Sequence, residues 1–516
     1  MPSSTQPNIL MIQADQMSAL ALGCYGHPAA RTPNLDRLAA EGISFENCYC
    51  ASPLCGPSRA SMVSGRMPSN IGSFDNANEL PASTPTFMHL LRLAGYELWL
   101  SGKMHFVGPD QLHGFHGRTN TDIYPSSFQW TADWRRGAYG NRGTSVHYLH
   151  LSGPCAWGLQ LDYDEETQAR ALRCLRDLTR RGASENRPFF LCVSFTHPHD
   201  PFNISQEYWD LYEGVDIPPP ATTAPPLGEM HPYNQWLQIH HEIDRYPPSE
   251  QTIRAARRAY LGEVSYIDAK VGELIAELKR LDIDGEMIVL FTSDHGDMQG
   301  EHGMWFKRTF YEWSMRVPLI FWRPGEFASG RRRAAPVSLV DLFPTLTDLG
   351  GVPAEWPGAE DLDGESLARL LRGDAASWDR PMIAGYCGEG VVQPMRMIRD
   401  GDWKYVHVHQ HGPLLFNLAE DPNELCNLAG APEASEVETR LRQRLLDGYD
   451  GEALLRRILA DQQRRRMLND ALNQGTAFPW DYEPRADPSR LYVRRGFSTQ
   501  ETKRRQRWPY LPDAEP

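Results

Sequence analysis

Residues 50–66 read Cys50-Ala-Ser-Pro-Leu-Cys55-Gly-Pro57-Ser58-Arg59-Ala-Ser-Met-Val-Ser-Gly65-Arg66, and the rest of the chain is organised around them. Proline two residues after Cys55 suits the first turn of a helix, where its missing N–H costs nothing. Cys55 is therefore expected at or just before a helix N-terminus, and Arg59, four residues on, returns to the same face. Free amides, the positive end of the helix dipole and a guanidinium then converge on one sulfur. That is an anion site with a reactive group in its floor.

Outward from this loop, Asn8 to Ala14 is a short apolar run of the kind that makes a buried parallel strand, and it ends on Asp15-Gln16. Open α/β sheets place their ligands at such strand ends. Thr32 to Gly42 reads as a capped helix closed by glycine, and Thr86 to Ala94 as another. Glu97 to Leu100 is a strand delivering Lys103 and His105. Asp164 to Thr179 is helical, and Phe189 to Phe195 is a strand discharging into Thr196-His197-Pro198-His199-Asp200. Gln251 to Leu281 is a long amphipathic helix. Met287 to Thr292 is a third core strand ending at Ser293-Asp294-His295, Lys307 follows in an aromatic loop, and Val317 to Phe321 is one more strand. Residues 106–160, rich in Gly, His, Trp and Tyr without periodicity, suit a substrate-lining segment.

After about residue 380 the runs Met382–Tyr386, Met395–Ile398, Lys404–Val408 and Leu414–Asn417 predict a small antiparallel sheet, backed by helices near 433–446 and 451–473. The expected fold is α/β: a large, mixed, mostly parallel sheet between helices, a smaller antiparallel subdomain and an extended C-terminal arm. The divisions fall at residues 1–378, 379–474 and 475–516. Eight Arg or Lys stand between Arg485 and Arg507, and an arm so basic on an acidic protein suits a subunit contact.

The 516 residues suffice for a large core, and 41% hydrophobic with 23% charged residues is an ordinary globular composition. A formal net charge of −14 argues against nucleic acid as a partner. Nine cysteines, an odd number without a C-x-x-C, suggest a reduced compartment. Met1 to Pro7 is short and polar, with no basic-then-apolar leader, and no apolar run reaches membrane-spanning length. The chain reads as cytoplasmic, without a membrane partner.

A bare C-x-P would suit an inert buried cysteine. The whole stretch instead resembles the sulfatase signature C-x-P-S-R-x-x-x-x-x-G-R, here Cys55 to Arg66. In that family the cysteine is oxidised to formylglycine by a formylglycine-generating enzyme, and the hydrated aldehyde is the nucleophile. The resemblance implies an alkaline phosphatase-like fold and a divalent cation held by Asp15, residue 55, Asp294 and His295. It also places Arg59, Lys103, His105, His199 and Lys307 around the sulfate and leaving group. An oxygen-dominated shell points to Ca²⁺, with Mn²⁺ or Mg²⁺ as alternatives, and one histidine keeps Zn²⁺ open. Gln16 stands where many sulfatases carry a second Asp, and His295 where they often carry Asn. In the implied mechanism, Arg59 and the lysines stabilise the sulfuryl oxygens, His199 or Lys307 protonates the leaving oxygen, and His105 helps the aldehyde hydrate expel sulfate.

Within the family the chain is most similar to choline-sulfatases, through Ser101–Phe115, Thr121–Pro125, Val193–Pro201 and Phe478-Pro-Trp-Asp. A quaternary ammonium needs aromatic faces and a carboxylate. Trp130 and Glu389 fall where the choline-contacting residues are expected, Phe202 is expected to complete the cage, and Asn76 is a further substrate-binding candidate. Arg135 to Gly158 departs from the choline-sulfatase pattern. The alternatives are an arylsulfatase, a phosphonate monoester or phosphodiester hydrolase with the same nucleophile, or a binding protein with a silent Cys55. A dimer or tetramer is expected.

Overall fold

A computed structural model describes residues 6–185, 187–373, 378–476 and 479–484. Ten strands precede residue 340: β1 (Asn8–Ala14), β2 (Ile43–Tyr49), β3 (Glu97–Gly102), β4 (Gly117–Arg118), β5 (Gly153–Cys155), β6 (Phe189–Ser194), β7 (Asn203–Ser205), β8 (Met287–Ser293), β9 (Leu319–Trp322) and β10 (Arg331–Ser338). Eight of them make one sheet in the order β10-β2-β9-β8-β1-β6-β3-β4. Only β9 runs antiparallel to its neighbours there. The remaining two, β5 and β7, form a small parallel pair.

The apolar run of β1 follows from burial on both faces. Ile9 and Met11 enter one core and Leu10 and Ile12 the other, the two-residue period of a strand. The first core takes in the Cys55–Ser64, Phe87–Leu93 and Leu342–Leu349 helices, and the second the long Glu250–Arg280 and Leu159–Glu185 helices. A second sheet of β11 (Met382–Tyr386), β12 (Met395–Asp400), β13 (Trp403–Val408) and β14 (Leu414–Asn417) is antiparallel throughout, as its alternating short runs predicted. Met382, Ala384, Met395, Met397 and Val406 belong to the same core as Ile9, so the two sheets share apolar packing.

The structure differs from the sequence reading in several places. β2 and β10 were not expected: β2 mixes Glu46 and Asn47 into its run, and the first residues of β10 are exposed arginines at the sheet edge. Thr32 does not cap its helix; its hydroxyl donates instead to the Asp36 carboxylate at 3.0 Å. The helix expected over Asp164–Thr179 runs from Leu159 to Glu185. Most of the expected arm, including Phe478 and the basic run from Arg485 to Arg507, lies outside the described residues. Of its described part, Trp480 packs edge-on against Phe128, and Asp481 accepts hydrogen bonds from the Ser126 amide and hydroxyl. No helix among the described residues is long and apolar enough to cross a membrane.

Strand register positions the site. Ala14 pairs with Ser293, and Ser194 pairs with both Gln13 and Gly102. The ends of β1, β8, β6 and β3 therefore lie along one edge, and the next residues, Asp15, Asp294 and Lys103, emerge side by side.

Candidate active site

The Cys55–Ser64 helix points its N-terminus at that edge and ends at Gly65, whose φ of +67° is the left-handed cap glycine tolerates best. Its first free amide is already taken, because Gly56 N–H donates to Asn76 Oδ1 at 2.9 Å. Asn76 thus caps the nucleophile helix from outside, and the expected cluster of free amides is reduced by one. Its carbonyl oxygen lies 3.1 Å from His105 Nε2.

The Cys55 sulfur is fully buried, 3.1 Å from His295 Nε2, 3.3 Å from Lys307 Nζ and 3.8 Å from Asp15 Oδ1. Burial pushes its thiol up, but Lys103, Lys307 and His295, with His105 as hydrogen-bond partner, more than reverse this and hold it well below the ordinary range. Burial and Cys55 likewise push the Asp15 carboxyl up, and Lys103, His199 and Arg59 together carry it below its usual value. Burial opposes the charged form of His295, and Asp294 with Cys55 raises it overall.

One ligand atom from each of Asp15, Cys55, Asp294 and His295 lies within 4.8 Å of all the others, and all four residues are buried. These are the four positions expected to hold the cation. Two carboxylates and an imidazole around a buried centre fit a divalent ion. An oxygen at position 55 makes the set hard, whereas sulfur shifts it towards zinc.

Arg59 faces away from the incoming substrate. Its guanidinium donates to Asp15 Oδ2 and Asp294 Oδ2, both at 2.8 Å, and to the Lys103 carbonyl and Ser194 hydroxyl, both at 2.9 Å. The residue expected on the sulfuryl oxygens instead holds the two carboxylates in place, because four of its five N–H donors are used within the strand edge. Lys103 lies 2.5 Å from Asp15 Oδ2 and over the Tyr124 ring, with 4.2 Å from Nζ to the centroid. It follows Gly102, whose φ is +101° and where a Cβ would stand 2.0 Å from the Ser194 carbonyl, so only glycine lets the chain turn there. Gln16, His105, Phe306 and Arg308 also have positive φ, a concentration of backbone strain around one site.

Gln16, replacing the acid seen in many sulfatases, donates from Nε2 to Asp297 at 2.5 Å and Asp200 at 3.1 Å, and accepts from Lys307 Nζ at 2.5 Å. Burial pushes the Asp297 acid up to about 7. His199 Nε2 and Lys307 Nζ are 2.7 Å apart. The His105 amide is fixed by Asp122 Oδ2 at 2.9 Å, and Arg118 anchors the same oxygen.

Above Cys55 opens a cavity of about 850 Å³, lined among others by Asn76, Tyr124, Trp130, His199, Lys307, Arg308 and Glu389. Phe202 is not part of it: its ring is 1% exposed and packs against Tyr260, Trp305 and Phe306 in the core. It comes just after a loop proline and one residue before β7, so its neighbours are core aromatics. Tyr124, in contrast, lines the cavity. Its ring is edge-on to Trp130 at 5.1 Å, and its hydroxyl lies 3.3 Å from His199. The sequence signal was present in Thr121–Pro125, read only as a family likeness. Glu389 lines the same cavity, its loop tied down by Trp134 Nε1 donating to the Gly388 carbonyl at 3.0 Å.

With this geometry in view, a family model described as Sulfatase matches residues 7–352. Two further models match the C-terminal side: "N-sulphoglucosamine sulphohydrolase, C-terminal" over 300–450 and "Choline sulfatase enzyme C terminal" over 456–508. The choline-sulfatase of Rhizobium meliloti (strain 1021) is 40% identical over 517 residues, 98% of this chain and 99% of the relative. An arylsulfatase of Clostridium perfringens (strain 13 / Type A) is 29% identical, covering 87% of this chain and 98% of that one. In three dimensions the chain is similar to the phosphonate monoester hydrolase of Agrobacterium radiobacter, with a TM-score of 0.70 and 25% identity over 88% of this chain and 96% of that one.

Proposed function

As the chain belongs to the sulfatase family, we propose that it hydrolyses the sulfate ester of a small cationic alcohol, choline sulfate first, with a formylglycine made from Cys55 and one divalent cation. The observation that carries this is the meeting of Cys55, Asp15, Asp294, His295 and Lys307 in the floor of a cavity that also holds Trp130, Tyr124 and Glu389. The 40% identity to a choline-sulfatase over nearly the whole chain supports the choice of ester.

Sulfate monoesters hydrolyse slowly enough that about 20 kcal/mol of barrier lowering is required. Asp15, Asp294 and His295, with the residue-55 side chain, would hold the cation, Ca²⁺ before Mn²⁺ or Mg²⁺, and its charge would favour an ionised hydroxyl on the aldehyde hydrate. Arg59 keeps both carboxylates in register by donating one N–H to each. Lys103 and Lys307 present ammonium groups where the anionic sulfuryl oxygens sit. As the S–O bond breaks, the leaving oxygen takes a proton from Lys307 or from His199 beside it and departs as the alcohol. His105, whose Nε2 lies 3.1 Å from the Asn76 carbonyl, has its buried Nδ1 left to take the proton of the second hydroxyl when sulfate is released. Water restores the hydrate.

Maturation by a formylglycine-generating enzyme, assembly as a dimer or tetramer through residues 475–516 and a cytoplasmic location belong to the same proposal. The test is sulfate release from choline sulfate and 4-nitrophenyl sulfate. Glu389→Gln should raise KM for choline sulfate far more than for the neutral aryl ester, and equal effects would remove the cation cage. The likeness to a phosphonate monoester hydrolase supports a second reading, which a phosphonate monoester offered beside the two sulfates decides.

A further inference from the structure

The cavity lining holds charged groups that the chemistry at position 55 does not use. Arg308 directly follows Lys307, with φ at +82° and its amide donating to the Pro53 carbonyl at 3.0 Å, so the backbone fixes where its side chain starts. The residue is 6% exposed and lines the cavity, and its Nε and Nη1 have no hydrogen-bond partner. Glu389 lines the same cavity. Its Oε1 accepts from the Asn76 amide at 3.3 Å, while Oε2 is buried without a partner. The Arg308 charge acts on Glu389, yet neither of these two nitrogens nor Oε2 is satisfied by the other. Of the other arginines lining this cavity, Arg142 is paired with Asp244 at 2.9 Å, Arg466 lies 3.6 Å from Asp133, and Arg136 is exposed rather than buried.

A buried donor or acceptor without a partner costs about 1–3 kcal/mol, more when charged. A quaternary ammonium would leave Glu389 Oε2 without a donor, having no N–H, and would add positive charge beside an unpaired guanidinium. A group carrying both charges meets each demand: its ammonium donates to Oε2, and its carboxylate accepts from Nε and Nη1, the fork arginine offers.

We propose that Arg308 and Glu389 form a paired subsite for a zwitterionic leaving group, so that the preferred substrate is the sulfate ester of a hydroxy amino acid. This rests on the sulfatase reading of the site around Cys55 and, within it, puts the zwitterionic ester ahead of choline sulfate, the ester that the likeness to a choline-sulfatase alone selects. In L-serine O-sulfate the nitrogen is as far along the carbon chain from the ester oxygen as in choline sulfate, and the carboxylate branches from the same carbon as the nitrogen. The sulfate end, with Lys103, Lys307 and His199, is used unchanged. The bond broken is the same S–O bond, with water supplying the oxygen that leaves in sulfate.

The experiment compares kcat/KM for L-serine O-sulfate, choline sulfate and 4-nitrophenyl sulfate, using the metal-loaded, aldehyde-bearing protein and its Arg308→Met and Arg308→Lys variants. The wild type is expected to prefer the serine ester over the choline ester. Arg308→Met should lower that ratio by about 30-fold, the scale of a charge-assisted hydrogen bond, with Arg308→Lys between. A wild-type preference for choline sulfate, or a ratio moved by less than about threefold in Arg308→Met, overturns the subsite. Should that variant fail to fold, the wild type is compared on L-serine O-sulfate and its carboxyl methyl ester. A loss of about tenfold or more on esterification supports the subsite, and an equal rate overturns it. Turnover of the aryl and choline esters without preference for the serine ester removes only this inference; no turnover of any of the three removes the sulfatase reading with it.

Discussion

Replacing Lys404 by Met should destabilise the protein by about 4 kcal/mol at pH 8, because it strands two buried carboxylates. Lys404 lies on β13, is fully buried, and donates to Glu424 Oε1 at 2.7 Å and the Phe310 carbonyl at 2.9 Å; Glu312 Oε1 lies 2.6 Å away. It thereby joins the antiparallel sheet to the loop that follows Lys307 and Arg308. Burial pushes both acids up. In Glu312, Lys404, Arg316 and Arg399 reverse this and lower it, whereas Glu424, also facing Glu312, is raised to about 7. The signs are opposite: the Glu312 contribution is present above the unfolded carboxylate range and lost on acidification, while that of Glu424 is present in acid and lost as pH rises through about 7. Breaking a buried pair costs about 3–5 kcal/mol. Without the ammonium both acids move up, so the damage is relieved by protonation, at about 1.4 kcal/mol per pH unit for each proton bound. One proton more than the wild type binds, held over these pH units, relieves about 3.5 kcal/mol, so the loss should shrink to below about 1 kcal/mol at pH 5.5. Urea unfolding followed by the fluorescence of the fourteen tryptophans reads both values. A loss below about 1 kcal/mol at pH 8, or one as large at pH 5.5 as at pH 8, would refute the reasoning.

Arg59→Lys should weaken divalent-cation affinity by tenfold or more, roughly one charge-assisted hydrogen bond, because a lysine cannot bridge Asp15 and Asp294 as the guanidinium does; titration of the metal-free protein with Ca²⁺ measures it. Phe202→Leu should cost about 1–2 kcal/mol of stability and leave KM for choline sulfate unchanged, which steady-state kinetics checks, since the ring belongs to the core. Removing bound metal with a chelator should abolish sulfate release, and adding back Ca²⁺, Mn²⁺ and Mg²⁺ separately should restore it in the order of their fit to the buried carboxylate and imidazole set.

What the sequence made legible is what its local signals encode. The run Asn8–Ala14 is apolar on both faces because it is buried on both, and its last residue hands directly to Asp15. The proline after Cys55 and the glycine at 65 bracket the nucleophile helix in composition alone. Directions of side chains were not legible. Arg59 shares a helix face with Cys55 whether it serves the substrate or the carboxylates, and only the strand register, which brings Asp15 beside Asp294, decides for the carboxylates. Phe202 and Tyr124 both follow loop signals and both suit a cage, but β7 draws the first into the core. Nothing in the sequence singles out Arg308, because its burial depends on a loop fold that carries no periodicity.

The most direct measurement is the mass of the peptide carrying residue 55, taken on preparations of graded activity. Turnover should rise in proportion to the fraction bearing an aldehyde in place of the thiol and vanish in Cys55→Ala. Full activity in protein whose residue 55 is entirely unmodified cysteine would contradict it.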